Sequence, residues 1–205
     1  EQTDIVLTLL KRDDIGPSIN QPDKDGTTPL LWAITKKQTD IALTLIKRND
    51  IGPSINHPEK YGNTPLLGAI RNKQADIALK LLKHPDISES INYAEKKFGV
   101  TPLRGAIETN QTVIALTLLK RSDIGPSINQ TNNEGSTPLI IAIQKNQTDT
   151  AIALIDHNKI DVNVENKYEE TPLMLALAHK QTDIALALIE HDNIDVNKTA
   201  NKGLT

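Results

Sequence analysis

Apolar positions recur with a helical period along most of the chain, in short segments separated by polar turns. In the first complete segment the pattern predicts one helix over residues 29–36 and a second that begins at Thr39. The second helix has an apolar face formed by Ile41, Ala42, Leu45 and Ile46. Because residues three to five positions apart lie on the same side of a helix, this spacing indicates a pair of short amphipathic helices.

The ends of these helices carry residue types that helix termini prefer. Thr28 is expected to cap the first helix, with a proline next to it at the position where a missing N–H costs nothing. Asp40 suits the positive end of the second helix, and Lys47 and Arg48 suit its negative end. Residues 51–54 (Ile-Gly-Pro-Ser) are predicted to form a loop after it.

The whole segment is repeated along the chain. Thr-Pro-Leu occurs five times, with spacings of 36, 37, 36 and 34 residues between Pro29, Pro65, Pro102, Pro138 and Pro172. An Ile-Asn or Val-Asn pair recurs in phase and ends at Asn20, Asn56, Asn92, Asn129, Asn163 and Asn197. Helices of about eight residues are marginal alone. We therefore expect them to bury their faces against equivalent helices in adjacent copies, as in a solenoid.

These recurring residues resemble the ankyrin repeat. The matching pieces are residues 25–30 (Asp-Gly-Thr-Thr-Pro-Leu), Ala33 in the first helix, the outer-helix residues Ile41, Leu45 and Ile46, and the closing Asp161-Val162-Asn163. The resemblance implies an all-α solenoid of stacked helix-turn-helix pairs with β-hairpin fingers. It covers a single array over residues 1–205, with about five full repeats at 21–56, 57–92, 93–129, 130–163 and 164–197.

Partial units are expected at both ends of the array, over residues 1–20 and 198–205. The first matches the outer helix and loop of a repeat, and residues 200–205 match an opening finger. The terminal repeats of a solenoid normally carry polar caps, and neither end has one. We therefore expect the chain to be a fragment of a longer protein.

Several positions depart from the ankyrin pattern. The usual histidine after Thr-Pro-Leu is absent, so its hydrogen-bonding role is lost or replaced; the position holds Leu31, Leu67, Arg104, Ile140 and Met174. The early units carry a two-residue insertion after the outer helix, as at Gly125-Pro126. A fingertip position that tolerates positive φ holds Gly26, Gly62, Gly99, Gly135 and Gly203. Glu169 replaces that glycine in the fifth unit, whose finger is therefore expected to be distorted.

Composition narrows the classes of function. The 205 residues carry a formal net charge of −3, too near balance to favour nucleic acid or an anionic membrane surface. Aromatic residues make up 2% of the chain, too few for a base-stacking platform. No apolar stretch approaches the roughly 20 residues that span a bilayer, and no signal peptide is visible. The lack of cysteine excludes disulfides and thiolate metal sites and fits a cytoplasmic location.

Candidate catalytic and metal-binding residues are scarce. The histidines are His57, His84, His157, His179 and His191. A metal site needs ligands that converge at about 2 Å from the ion, whereas equivalent side chains on stacked helices start about 8–10 Å apart. The acidic pairs lie in loops, and no glycine-rich phosphate loop is present. We expect no enzyme activity, no metal and no cofactor.

A basic pair ends each early outer helix, at Lys11-Arg12, Lys47-Arg48, Lys83-His84 and Lys120-Arg121. These residues are predicted to stack into a basic ladder that meets an acidic partner or phosphoinositide headgroups, or else to cap the negative ends of helices. An aspartate follows each pair, at Asp14, Asp50, Asp86 and Asp123. Because these carboxylates offset the positive field, capping is favoured.

The few aromatic residues point to a binding surface. Three of them share the fingertip position, each after a lysine, and Trp32 lies in the first helix. The resemblance implies that fingertips and inner-helix surfaces bind partners, and aromatics are enriched among interface hot spots. The predicted partner-binding residues are Trp32, Tyr61, Phe98, Arg104, Lys60, Lys97, Arg71, Glu108 and Tyr168. Alternatively, the tip aromatics pack finger against finger and Trp32 fills the stack.

The sequence thus predicts a non-catalytic, monomeric interaction module that binds an unidentified protein partner. Two alternatives stay open. One is the targeting arm of a larger enzyme or of a bacterial effector acting in the host cytosol. The other is a structural spacer or lipid-contacting scaffold that uses the basic ladder.

Overall fold

The computed structural model describes residues 2–198, which form α-helices, short turns and no β-strand. The predicted partial unit at residues 200–205, with Gly203, lies outside the described residues. The chain divides into two compact units, Glu1–Gly105 and Ala106–Thr205. The boundary falls inside the helix Pro102–Glu108. The single array over all 205 residues stays a prediction.

The first helix of each repeat is an inner helix that starts at the proline of Thr-Pro-Leu, as predicted. The inner helices are Pro29–Thr35, Pro65–Arg71, Pro102–Glu108, Pro138–Gln144 and Pro172–Ala178. The preceding threonine caps each one through its hydroxyl; Thr28 Oγ1, for example, accepts a bond of 3.3 Å from the Leu31 amide. This bond satisfies one of the N–H groups that a helix start leaves without a partner.

An outer helix follows each inner helix, and a further outer helix opens the chain. The outer helices are Gln2–Leu9, Thr39–Ile46, Ala75–Leu82, Thr112–Leu119, Thr148–Ile155 and Thr182–Ile189. The turn between the two helices of a repeat contains a residue with positive φ, at Lys37, Lys73, Asn110, Asn146 and Lys180. A left-handed residue ends a helix because it turns the chain away from the helical path.

The segment predicted as a loop after each early outer helix is instead a third, one-turn helix. These helices are Gly16–Ile19, Gly52–Ile55, Ser88–Ile91 and Gly125–Ile128, and a 3₁₀ turn, Asp13–Ile15, precedes the first. Three contain a proline. In the first turn its missing N–H costs no hydrogen bond. The inserted residues therefore complete a helical turn that the fourth and fifth repeats lack.

In each unit, helices of neighbouring repeats stack on each other. In the first unit the inner helices Pro29–Thr35 and Pro65–Arg71 are in contact, with Leu30, Ile34, Leu66 and Ile70 fully buried between the layers. In the second unit the inner helices Pro138–Gln144 and Pro172–Ala178 pack similarly. Each fully buried Leu or Ile contributes roughly 1.5–3 kcal/mol, which compensates for the weakness of seven-residue helices.

The position of the missing histidine is filled by apolar packing in three repeats. Leu31, Leu67 and Ile140 are buried there, whereas Arg104 and Met174 are partly exposed. At Leu31, Leu67 and Ile140 the hydrogen bonds of that histidine are therefore lost and replaced by apolar packing.

In the part of the chain that the structure describes, the fingers are short turns rather than β-hairpins. Each finger is the segment that precedes the inner helix of its repeat and has the number of that repeat, so that fingers two, three and five cover residues 57–64, 93–101 and 164–171. In finger three, one bond of 3.2 Å joins the Glu95 amide to the Val100 carbonyl, and the turn closes at Gly99 with φ +62°. Such a closure is too short to form a strand ladder. Glu169 adopts the same conformation, with φ +63°, so the expected distortion of finger five is wrong.

The recurring asparagines join successive repeats within each unit. Asn20 Nδ2 donates to the Asp50 carbonyl at 2.7 Å, and Asn20 Oδ1 accepts from the Ser54 hydroxyl at 2.7 Å. In the second unit, Asn163 Nδ2 donates to the Asn193 carbonyl at 2.7 Å, and its Oδ1 accepts from the Asp195 amide at 2.9 Å. Each such asparagine therefore fixes the short loop of its repeat against the next repeat.

Candidate functional site

The fingertips expose a lysine and an aromatic ring side by side. Tyr61 is 63% exposed, Phe98 50% and Tyr168 59%. The ammonium groups of Lys60, Lys97 and Lys167 lie 5.7, 4.8 and 4.9 Å from the centroids of the rings that follow them. These distances fit a cation–π contact. The rings are therefore not buried finger against finger.

Each finger is held by the side chain at its base. In finger three, Glu95 Oε2 accepts from the Lys97 amide at 2.8 Å and Oε1 from the Phe98 amide at 2.7 Å. In finger two, Glu59 accepts in the same way from the Tyr61 and Asn63 amides, at 3.0 and 2.9 Å. These bonds fix the backbone that carries each aromatic residue.

Finger three has the strongest support, because its base carboxylate is buried and ion-paired. The Glu95 side chain is 3% exposed, and its Oε1 lies 3.4 Å from Arg71 Nη2. Burial by itself raises the pKa of Glu95, but the amide bonds from Lys97 and Phe98 and the charge of Arg71 outweigh it, so the pKa is below its ordinary value. Glu95 is therefore ionised at neutral pH.

Fingers two and three are tied to each other. The Lys96 amide donates to the Tyr61 carbonyl at 2.9 Å, and Lys96 Nζ donates to the Lys60 carbonyl at 3.1 Å. Arg104 Nη1 donates to the Phe98 carbonyl at 3.0 Å. We call the exposed residues of these two fingers, Lys60, Tyr61, Lys96, Lys97 and Phe98, the fingertip cluster.

Six of the predicted site residues thus lie on or beside fingers two and three. Lys60, Tyr61, Lys97 and Phe98 form the surface, and Arg71 and Arg104 hold finger three from beneath it. Tyr168 is at the tip of finger five, in the second unit, and Glu108 is a partly buried residue at the end of the inner helix Pro102–Glu108. Neither takes part in the fingertip cluster.

Trp32 lies in a separate place, an apolar groove of ≈660 Å³ in the first unit. Its ring is 46% exposed, so it does not fill the stack. The groove is lined by Val6 and Leu9 of the first outer helix, by Pro29 and Trp32, and by Ile41. None of the fingertip aromatics lines this groove.

The arginines at the ends of the outer helices are hydrogen-bonded to neighbouring groups, whereas Lys11, Lys47, Lys83 and Lys120 are exposed. Arg48 donates through Nε and Nη2 to Asp50 at 2.8 and 2.7 Å, and through Nη1 to the Arg12 carbonyl at 2.9 Å. Hydrogen bonding to Arg48 lowers the pKa of Asp50. Arg12 and Arg121 form equivalent pairs with Asp14 and Asp123, at 2.6 and 2.7 Å. This geometry fits helix capping, here of the preceding repeat.

The candidate metal-binding residues of the described chain are its His, Asp and Glu side chains. In residues 2–198, no three side chains of His, Asp or Glu are placed to hold a metal ion. His157 and His191 each accept a hydrogen bond through Nδ1 from the backbone amide two residues on, at 3.2 Å. These two rings therefore help to shape the turns that end the outer helices.

Sequence reasoning missed the residues at the base of the fingers, which are Asp23, Glu59, Glu95, Asn132 and Asn166. A usable signal was present, because Asp and Asn side chains commonly accept from the amide two residues on in turns. The reach of Arg48 to the preceding repeat had no such signal, because it depends on how the helices stack.

Comparison with known proteins agrees with this architecture. A family model described as ankyrin repeats (3 copies) matches residues 1–92 and 103–200. The chain is similar to the solved structure of the ankyrin repeat protein EF0377, with 24% identity, 92% of this chain and 90% of that chain covered, and a TM-score of 0.66. It is also similar to an ankyrin repeat domain from Acinetobacter baumannii AYE, with 23% identity, coverage of 92% and 91%, and a TM-score of 0.71.

At these identities the likeness shows the fold. No curated protein matches the chain. Among the helices of residues 2–198, none has both the length and the apolar character needed to cross a membrane.

Proposed function

Because the chain belongs to the ankyrin-repeat family, we propose that it is a non-catalytic module that binds a partner protein through its fingertip cluster and the adjoining inner-helix surface. Proteins of this family are generally protein–protein interaction modules. The observation that carries the proposal is the pair Tyr61 and Phe98, exposed on fingers whose backbone is fixed from below. Large aromatic side chains are enriched among interface hot spots, and a fixed backbone lowers the entropy lost on binding.

The proposed mechanism is binding by a preformed surface. The Lys97 and Phe98 amides are held by Glu95, and finger three is joined to finger two through Lys96. Little backbone freedom is left to lose on binding, so less of the interaction energy is spent on ordering.

The residues have distinct proposed roles. Lys60, Tyr61, Lys97 and Phe98 contact the partner, and Arg71 and Arg104 are positioning residues that act through finger three. Trp32 forms a separate apolar anchor in the groove, and Tyr168 a further tip contact in the second unit. Glu108, at the end of an inner helix, is proposed to contribute a charged contact.

The test is affinity capture from a lysate of the source cells with the full chain, followed by quantitative mass spectrometry. Tyr61→Ala with Phe98→Ala is expected to reduce capture of at least one protein about tenfold or more. Val113→Ala is the matched control, because it removes an exposed apolar side chain from an outer helix. A folded double variant that captures the same proteins as the control would refute the proposal, and Trp32→Ala tests the groove separately.

A further inference from the structure

We propose that the fingertip cluster binds an extended acidic segment of its protein partner. This inference rests on the proposed function and adds the chemistry of the partner. It follows from the direction of the charges on fingers two and three, and from the spacing of their lysines.

The acidic side chains of these two fingers are turned into the fold. Both carboxylate oxygens of Glu59 and both of Glu95 accept backbone amide hydrogens. Glu95 is almost fully buried and lies beside Arg71. The negative charges of the two fingers are therefore used to hold the backbone and are poorly placed to repel an acidic ligand.

The basic side chains point the other way. Lys60, Lys96 and Lys97 are exposed. Lys60 has a carboxylate neighbour, Asp25, at 3.9 Å, but both side chains are more than half exposed. Exposed pairs of this kind contribute about 0–1 kcal/mol, so a carboxylate of a partner can replace Asp25 at little cost. The exposed surface thus combines positive charge with two aromatic rings.

Finger five carries the same lysine–aromatic pair, but acidic residues lie close to its lysine or follow it in the chain. Lys167 lies 3.0 Å from Glu134, and hydrogen bonding to Glu134 raises the pKa of Lys167. Two further acids, Glu169 and Glu170, follow Tyr168 in the chain. Finger five is therefore a matched negative control within the same protein.

The spacing of the lysines defines the ligand. Lys60 and Lys97 hold the same position in neighbouring fingers, and packed helices of adjacent repeats lie about 8–10 Å apart. A polyproline II segment rises about 3.1 Å per residue with three residues per turn. Acids at positions i and i+3 of such a segment lie on one face about 9 Å apart, which is comparable to the spacing of adjacent repeats. The apolar residues between them project about 120° to either side of that face, and we expect them to contact Tyr61 and Phe98 at its edges.

The experiment measures binding of a fluorescein-labelled peptide, in which Asp alternates with Pro-Leu over three copies, by fluorescence anisotropy with the full chain. We expect saturable binding that weakens with salt, and no binding of the same peptide with Asn in place of Asp. Lys60→Gln with Lys97→Gln is expected to weaken binding about tenfold, at about threefold per lysine, whereas Lys167→Gln leaves it unchanged.

Three results would overturn the inference: no binding of the Asp peptide, equal binding of the Asn peptide, or no effect of the double lysine variant. Lysine-dependent binding to phosphatidylserine vesicles that exceeds binding to the peptide would assign the surface to a membrane instead. If Tyr61→Ala with Phe98→Ala loses the captured partner while the Asp peptide does not bind, only the acidic chemistry is wrong. If the peptide binds through the lysines but capture is unaffected, the proposed function is the part that fails.

Discussion

Fingers three and five present nearly the same tip on different supports. In both, a lysine ammonium lies just under 5 Å from an exposed aromatic ring. Finger three is held by the buried carboxylate of Glu95, with Arg71 and Arg104 alongside it. Finger five is held by the neutral Asn166, which accepts from the Tyr168 amide at 2.9 Å. The two fingers therefore differ in charge and support although their tips look alike.

This difference shows that fingers with similar tips can expose different charge. The acid of finger three is turned inward onto backbone amides, and its lysines stay exposed. Finger five has an amide, Asn166, at its base, and its Lys167 pairs with Glu134 of the preceding repeat. The predictions below alter one element of this contrast at a time.

The largest expected effect is that of Glu95→Ala. It removes a charged acceptor from two backbone amides and leaves Arg71 without its buried partner. We expect the free energy of unfolding to fall by about 3 kcal/mol, against about 1.5 kcal/mol for Asn166→Ala and about 1 kcal/mol for Glu95→Gln. Urea denaturation measures the free energy of unfolding of all three variants. An equal loss for Glu95→Ala and Asn166→Ala would contradict the claim that finger three is the more strongly supported finger.

Exchanging the residues with positive φ is expected to give opposite changes in the two fingers. Gly99 and Glu169 have φ values of +62° and +63°. A left-handed conformation costs a residue with a side chain about 1 kcal/mol more than glycine. Gly99→Glu should therefore destabilise the protein by about 1 kcal/mol, and Glu169→Gly should stabilise it by a similar amount. Thermal unfolding checks the sign, and two changes of the same sign would contradict the strain argument.

Arg104→Met gives repeat three the residue that repeat five carries as Met174. The change removes the 3.0 Å bond from Arg104 Nη1 to the Phe98 carbonyl. We expect a loss of about 0.5 kcal/mol, which is local and best seen as faster hydrogen exchange at the Lys97 and Phe98 amides. The Tyr168 amide is the internal control, and its exchange rate should not change.

The smallest effect concerns pH. Burial alone would raise the pKa of Glu95, but the Lys97 and Phe98 amides and the charge of Arg71 lower it below its ordinary value, so the ionised form stabilises the fold above that ordinary value. This contribution is lost as the pH falls through the folded pKa. Glu95→Gln should flatten the decline in stability that occurs as the pH falls below the ordinary pKa of a glutamate. Asp50 and Asp123, whose pKa values are lowered by Arg48 and Arg121, account for a decline that remains. An identical pH profile for the variant would contradict this assignment.

Much of the helical architecture could be predicted from the sequence, because its signals are local. Thr28 caps the first inner helix as expected, and that helix ends at Thr35, one residue before the predicted end. The outer helix begins at Thr39. Residues 52–55 were mispredicted because Gly52 and Pro53 are common in loops, although proline is also well tolerated in the first helical turn.

The candidate site was less predictable, because its properties depend on contacts between repeats. The sequence indicates which aromatics share the fingertip position, but not that Glu95 is buried beneath one of them. The sequence shows that basic residues end the outer helices, but not that Arg48 donates hydrogen bonds to Asp50 and to a carbonyl of the preceding repeat. The lysines that remain exposed on the first unit's fingers are recognised only from the structure.

The recurring asparagines have a consequence for how such a chain changes length. The same side-chain amide bonds the next repeat at Asn20 and again at Asn56, which donates to the Asp86 carbonyl. Deleting residues 21–56 would therefore place Asn20 beside a repeat to which it can donate the same hydrogen bond, at the Asp86 carbonyl. Duplication of the same stretch would create one more identical junction. Gene rearrangement can thus shorten or extend the protein by whole modules without requiring a new joint to evolve.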